Sequence, residues 1–172
     1  ASVAKAVTAA YAFDLLGPGH RFETRVLATG PVRDGRLDGD LILAGGGAPG
    51  LSTADLALLA GRLKANGLRE VRGRFAVWDG ALPRIAAIDP DLPTHLGYNA
   101  SVSGLNLNYN RVHFEWRRSA AGYDVALDAR AGRYTPQVVH ATMQVADRAA
   151  PVYRHRIEPE TGRERWSVAR GA

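Results

Sequence analysis

The chain contains no cysteine in its 172 residues. A disulfide framework and a thiolate metal site are therefore both excluded, while the redox compartment stays open. No apolar run approaches the roughly 20 residues that cross a bilayer, so no membrane span is expected. There is also no block of one charge. The formal charge of +5 comes from 22 Lys and Arg against 17 Asp and Glu, with arginines scattered among acids. Such a diffuse excess describes a solvated surface; it favours anionic polymers in general without selecting nucleic acid, and no nucleic-acid partner is expected. Internal repeats and low-complexity tracts are absent. His20, His95, His113, His140 and His155 stand singly with no pair at metal-ligand spacing, so no metal is expected, and the one glycine run lacks the spacing of a dinucleotide fingerprint, so no organic cofactor is expected either. No leader is recognisable, and the opening Ala1-Ser2-Val3-Ala4-Lys5 reads as the interior of a longer protein.

What is present falls into two differently patterned halves. Ser2 to Leu16 is rich in helix formers, with Ala6, Val7, Ala10 and Phe13 at helical spacing, and Gly17-Pro18-Gly19 ends the helix. Arg21 to Thr29 and Leu37 to Leu43 flank an Asp34-Gly35 turn and predict a hairpin. Gly45-Gly46-Gly47 lacks the Lys-Ser/Thr of a phosphate loop and reads as a turn into a helix. Ser52 and Asp55 have capping spacing for that helix, which runs to Asn66-Gly67, and Val71 to Trp78 predicts one further strand. Ala81 to Gly97, with Pro83, Pro90 and Pro93, reads as a connector. Beyond it the pattern is β-rich. Leu105 to Asn110 alternates and continues through Val112, Phe114 and Trp116, with Asn106, Asn108 and Asn110 expected as a polar ladder on a solvent face. Further runs are Tyr123 to Leu127, Val139 to Val145, and a last hairpin, Tyr153 to Ile157 with Arg165 to Val168, around Thr161-Gly162.

The residues that could carry chemistry are Ser2 and Lys5, an S-x-x-K tetrad. Three residues apart on a helix places them on one face, so hydroxyl and amine can meet. A serine hydroxyl needs a base to become a useful nucleophile, and a lysine amine serves when burial or a neighbouring cation favours its neutral form. A helix N-terminus beside the attacked carbonyl also offers N–H groups to a developing oxyanion. The competing reading of Ser2 is a helix N-cap, which is the commoner role for a serine in that place.

The tetrad's surroundings are more specific than the tetrad. It is followed by Leu16-Gly17-Pro18 and Arg21-Phe22-Glu23-Thr24, then by Gly39-Asp40-Leu41-Ile42-Leu43-Ala44-Gly45-Gly46-Gly47. Leu63 to Gly73 and Ser103-Gly104-Leu105-Asn106-Leu107-Asn108-Tyr109-Asn110-Arg111-Val112 continue the succession. In this order the motifs resemble the D-alanyl-D-alanine carboxypeptidases/endopeptidases of the DacB type, peptidase family S13, from Ser2 to about Val112. The resemblance implies an α+β protein in three parts. Residues 1–20 would begin the serine acyl-transferase domain of the penicillin-binding/β-lactamase-like fold, 21–80 would form an inserted α/β domain, and 81–172 a β-rich inserted domain. It also implies Ser2 as nucleophile and Lys5 as base, peptidoglycan stem peptides as substrate, β-lactams as covalent inhibitors, and a periplasmic or outer-envelope location. Three departures stand out. No K-T/S-G motif occurs, Ser101-Val102-Ser103 and Ser103-Gly104-Leu105 do not match S-x-N, and Ala48-Pro49 replaces the usual Asp-Pro. On this reading the chain holds only part of the catalytic site. Another S-x-x-K acyl enzyme, such as a β-lactamase or esterase, and a non-catalytic binding module are the competing classes.

Overall fold

The computed structural model describes residues 2–93 and 96–171. Its first helix, α1 (Ala4–Leu16), ends at Gly17, whose N–H makes the last helical bond to the Phe13 carbonyl at 3.0 Å and whose φ of 78° turns the chain out of the helix. The helix is apolar almost all round, with Lys5, Thr8 and Asp14 as its chief polar positions, yet it buries none of its residues.

The chain next forms a three-stranded ribbon that bends in the middle. β1 (Thr24–Ala28), β4 (Leu41–Gly45) and β6 (Phe75–Trp78) make one sheet in the order β1-β4-β6, and β2 (Val32–Arg33), β3 (Arg36–Leu37) and β5 (Glu70–Val71) make a second in the order β2-β3-β5. Each strand of the first sheet continues in one of the second, and the bend falls where Gly30, Gly39 and Gly73 meet. A Cβ on Gly73 would lie 2.4 Å from the Gly39 carbonyl oxygen, and one on Gly30 would lie 2.0 Å from that of Asp38. Only glycine allows the backbones this approach. Asp34 and Gly35 both have positive φ, which fits the tight β2–β3 hairpin. The helix α2 (Thr53–Ala65) joins antiparallel-paired β4 to parallel-paired β6 as a crossover. Its start carries the predicted capping box: Asp55 N–H donates to Ser52 Oγ at 3.2 Å, and Ser52 N–H donates to Asp55 Oδ2 at 2.9 Å. Leu37, Leu43, Ala44 and Leu51 form the buried core of this part.

The β-rich half holds a hairpin, β7 (His113–Ser119) with β8 (Gly122–Asp128), and a sheet of order β10-β11-β9 made from β9 (Ala141–Ala146), β10 (Tyr153–Ile157) and β11 (Glu164–Ala169). β11 lies centrally, antiparallel to β10 and parallel to β9. Ala141, Val168 and Ala169 are buried there.

The mixed helix and sheet content agrees with the expected α+β class, but several expectations need correcting. Val71 to Trp78 is two strands rather than one, because Gly73 sits at the bend. The expected run from Val139 begins only at Ala141, with Val139 75% exposed. The alternation from Leu105 to Asn110 is not a strand. Asn108, Tyr109 and Asn110 all have positive φ (50°, 58° and 53°) in a single tight turn, and extended structure resumes at His113. The asparagines are not a solvent ladder either. Asn106 exchanges hydrogen bonds with the Ser103 backbone (2.8 and 3.0 Å), and Asn110 Nδ2 donates to the Ser101 carbonyl at 2.7 Å. Asn108 Oδ1 accepts the Thr53 N–H at the start of α2 at 3.0 Å, while its Nδ2 donates to the Ala129 carbonyl at 3.1 Å. Asparagine suits this turn for two reasons: it tolerates the left-handed region, and its amide satisfies nearby backbone groups. The segment read as a plain connector is also organised. Asn99, only 2% exposed, accepts the Asp89 N–H and donates to the carbonyls of Asp89 and Leu92.

Candidate active site at the start of the first helix

The geometry around Ser2 begins with how α1 starts. The N-cap position falls on Val3, in helical geometry (φ −60°, ψ −31°) and without any side-chain cap. The first turn is closed by backbone bonds instead, from Lys5 N–H to the Ser2 carbonyl (3.1 Å) and Ala6 N–H to the Val3 carbonyl (3.0 Å). Ser2 is thus not an N-cap, and its hydroxyl is free of that duty. Lys5 Nζ donates to Ser2 Oγ at 3.2 Å, one helical turn away. The Lys5 and Ala6 N–H groups are thus taken within the first turn, and no side-chain cap closes the N–H groups ahead of them. Nucleophile candidate, base candidate and backbone donors therefore share one end of one helix.

What is missing is enclosure. Ser2 and Lys5 are both exposed, so the burial that favours a neutral lysine amine is not supplied by the described residues. The apolar side chains of the helix are also bare, with Val3 81%, Val7 69% and Phe13 63% exposed.

The other candidates separate from this pair. Gly45, Gly46 and Gly47 form a turn packed on backbone: Gly47 N–H donates to the Gly104 carbonyl at 2.7 Å, and Cβ atoms on Gly45 and Gly46 would collide with the carbonyls of Gly104 and Glu23. That leaves no cradle for a phosphate. His20 meets Phe22 edge to face at 4.8 Å, His113 lies 3.7 Å from Glu115, and His155 Nε2 lies 3.1 Å from Glu164 Oε2. His95 lies outside the described residues, among which no group of His, Asp and Glu is arranged to hold a metal. An open groove of about 590 Å³ lies on the face of the first sheet that includes Leu27, Ile42 and Trp78, and neither Ser2 nor any residue of α1 lines it.

Electrostatics in the two halves is structural. The Arg74 N–H and guanidinium hold the Asp40 carboxyl below its ordinary pKa, and the Ser52 hydroxyl and N–H do the same for Asp55. Asp128, almost fully buried, is held low chiefly by its hydrogen bonds from Arg130. Sequence patterning missed Asn99, Asn108 and Asp128. The closely spaced Asn106, Asn108 and Asn110 were the available signal, since polar side chains able to hold a turn need not be a strand's wet face.

Comparison with known proteins gives first the class and then the family. The fold matches that of penicillin binding protein 4 (DacB) from Haemophilus influenzae with a TM-score of 0.68 at 22% identity, covering 98% of this chain and 38% of that one. A second structure of that protein, complexed with a β-lactam, matches with a TM-score of 0.60 at 20% identity, over 98% of this chain and 35% of the other. The chain belongs to the D-Ala-D-Ala carboxypeptidase 3 (S13) family, whose pattern matches residues 1–172. A D-alanyl-D-alanine carboxypeptidase of Actinomadura sp. is 37% identical over 110 residues, 62% of this chain and 20% of that protein. D-alanyl-D-alanine carboxypeptidase DacB of Haemophilus influenzae is 37% identical over 73 residues, 42% of this chain and 15% of that protein. The aligned stretches thus span a fifth or less of these curated relatives.

Proposed function

We propose that this chain supplies the nucleophile and base of a serine-type D-alanyl-D-alanine carboxypeptidase/endopeptidase acting on peptidoglycan stem peptides at the periplasm or outer envelope. The observation that carries the reading is the 3.2 Å approach of Lys5 Nζ to a Ser2 hydroxyl that caps nothing, at a bare helix N-terminus. In the reaction, Lys5 as the neutral amine accepts the Ser2 hydroxyl proton while Oγ bonds to the carbonyl carbon of the D-Ala-D-Ala amide. The carbonyl oxygen takes the negative charge, and N–H groups at the helix start are donors of the right kind for it. Collapse breaks the C–N bond as the proton held by Lys5 passes to the amide nitrogen, which releases D-alanine and leaves an acyl ester on Ser2 with Lys5 neutral again. Water then attacks the ester, its proton passing to the base and from there to the departing Ser2 Oγ, so the carboxylic acid is released and the serine hydroxyl is regenerated. A β-lactam would acylate the same oxygen by opening its ring amide.

In the arrangement proposed, residues 1–20 open the penicillin-binding domain, 21–80 form an inserted α/β domain and 81–172 a β-rich one. The all-round apolar surface of α1 supports this, because a helix of that kind is normally a core element. The S-x-N and K-T/S-G segments that complete the site in the resembled family would come from outside this chain. The test is labelling of the longer protein with a fluorescent penicillin. The band should vanish in Ser2→Ala, and Lys5→Arg should slow acylation by about 10²-fold or more. Labelling of Lys5→Arg near the parent rate would remove Lys5 as the base.

A further inference from the structure

The +5 charge is unevenly placed. Residues 111–172 carry 11 Arg against 7 Asp and Glu, whereas residues 1–110 are nearly balanced at 11 Lys and Arg against 10. The sheet β10-β11-β9 concentrates part of this excess on one face. Strand alternation sends Glu164, Trp166, Val168, Met143, Val145 and His155 to the half-buried or buried side. The opposite side presents Arg154 and Arg156 from β10, Arg165 from β11, and Thr142 and Gln144 from β9; toward its far end the same side holds the buried Ser167 and Ala169, where Arg148 donates to Ser167 Oγ at 2.9 Å. The three arginines, Thr142 and Gln144 are exposed.

Two features distinguish this from an ordinary wet face. Arg156 stands directly opposite Arg165 in the β10–β11 register, a like-charge cross-strand pair that costs stability. Arg165 is paired with Glu158, but Arg154 and Arg156 have no acidic partner among the described residues. Glu158, two residues from Arg156, is the acid nearest to them in sequence, and it is bound by Arg165; Ser167, Thr142 and Gln144 bring no other. On a strand, Arg154 and Arg156 stand roughly 7 Å apart on one face, so that face carries two guanidinium forks side by side. Such forks suit carboxylates because they bind them with two parallel bonds.

We infer that this face is a second binding surface, distinct from the Ser2 end of α1, that holds carboxylate-bearing peptidoglycan strands through Arg154 and Arg156. The inference rests on the proposed function for its choice of polymer; the charge placement alone requires only a polyanion rich in carboxylates. The surface would tether the polymer and raise the local concentration of stem peptides without touching the reacting bond.

Co-sedimentation with insoluble peptidoglycan sacculi tests it, using the full chain in a Ser2→Ala background so that turnover plays no part. Arg154→Gln/Arg156→Gln should bind about four-fold more weakly, two exposed ion pairs at roughly two-fold each. Arg154→Lys/Arg156→Lys, which keeps the charge and loses the forks, should fall between. A charge-matched control, Arg33→Gln/Arg69→Gln, should bind as the parent does, and all four proteins should melt at similar temperatures. Sacculi whose carboxylates have been converted to amides should lose the difference between parent and Gln variant. The proposal is overturned if the chain does not sediment with sacculi, if the two Gln variants bind alike, or if amidation leaves the difference intact. Selective capture of nucleic acid over sacculi would overturn it as well. Ser2 labelling by penicillin reads separately: labelling without sedimentation removes only this surface, and sedimentation without labelling removes only the acyl-enzyme reading.

Discussion

Both helices are 13 residues long, and they are held in contrasting ways. α2 has a capping box, an acid in its first turn, Arg62 and Lys64 in its last, and a Gly67 with φ of 89° just beyond it. Each device satisfies orphan backbone groups or complements the helix dipole, and the helix spans a crossover between paired strands. α1 has no side-chain cap, no acid in its first turn, no base in its last, and no buried residue. An isolated helix of this length is marginal in water. The contrast teaches that α2 is held by its own caps and its place between paired strands, whereas α1, which carries the proposed nucleophile and base, buries none of its residues against the described chain.

The largest expected effect breaks the contrast at the level of activity. Turnover of a D-Ala-D-Ala peptide by the 172-residue chain should fall at least 10³-fold below that of a protein extended through the S-x-N and K-T/S-G segments. Comparable turnover from both would mean that the site is already complete.

Hydrogen exchange sharpens the same contrast without chemistry. In the 172-residue chain, α1 amides should exchange nearly as fast as an open chain, while those in the middle of α2 should be slower by 10² or more. Equal protection would show that α1 is held by something other than its own turns. In the longer protein the two helices should converge.

Smaller effects divide α2 from its surroundings. Asn108→Ala should destabilise the fold by about 2–3 kcal/mol, since it strands the Thr53 N–H and puts alanine at φ of 50°, while the Ala129 carbonyl keeps its bond from the Thr53 hydroxyl. Ser52→Ala, which removes only the cap, should cost about 1 kcal/mol. Denaturant melts of the two variants check the order.

Acid should act through α2 and the β-rich half and leave α1 alone. Asp55 and Asp128 are held below their ordinary values by bonds from Ser52 and Arg130 respectively. A carboxyl lowered in the folded state stabilises above its unfolded pKa, near 4, and that contribution is lost as pH falls through the folded value. The melting temperature should therefore decline as pH drops from about 5 toward 3, and Asp128→Asn should flatten part of the decline.

The same contrast governs what the sequence made legible. Elements fixed by local signals were readable: the Ser52 and Asp55 cap, the Asp34-Gly35 turn, the hairpin around Thr161-Gly162, and the glycine end of α1 all occur where residue chemistry puts them. Elements fixed by tertiary partners were not. Leu105 to Asn110 alternates like a strand, but the bonds from Asn108 to Thr53 and Ala129 reach 55 and 21 residues away. The bend at Gly73 depends on Gly39, on another strand. The Ser2 and Lys5 spacing was legible because it is local; the residues that would enclose the pair lie beyond what local spacing encodes.

The central claim, that Ser2 is the acylated residue and Lys5 its base, is tested most directly by mass spectrometry of the longer protein after brief exposure to a β-lactam. The account predicts a single adduct on the peptide that carries Ser2, absent in Ser2→Ala and slow to appear in Lys5→Arg. An adduct on Ser52 or Ser103, or one that survives Ser2→Ala, would contradict it.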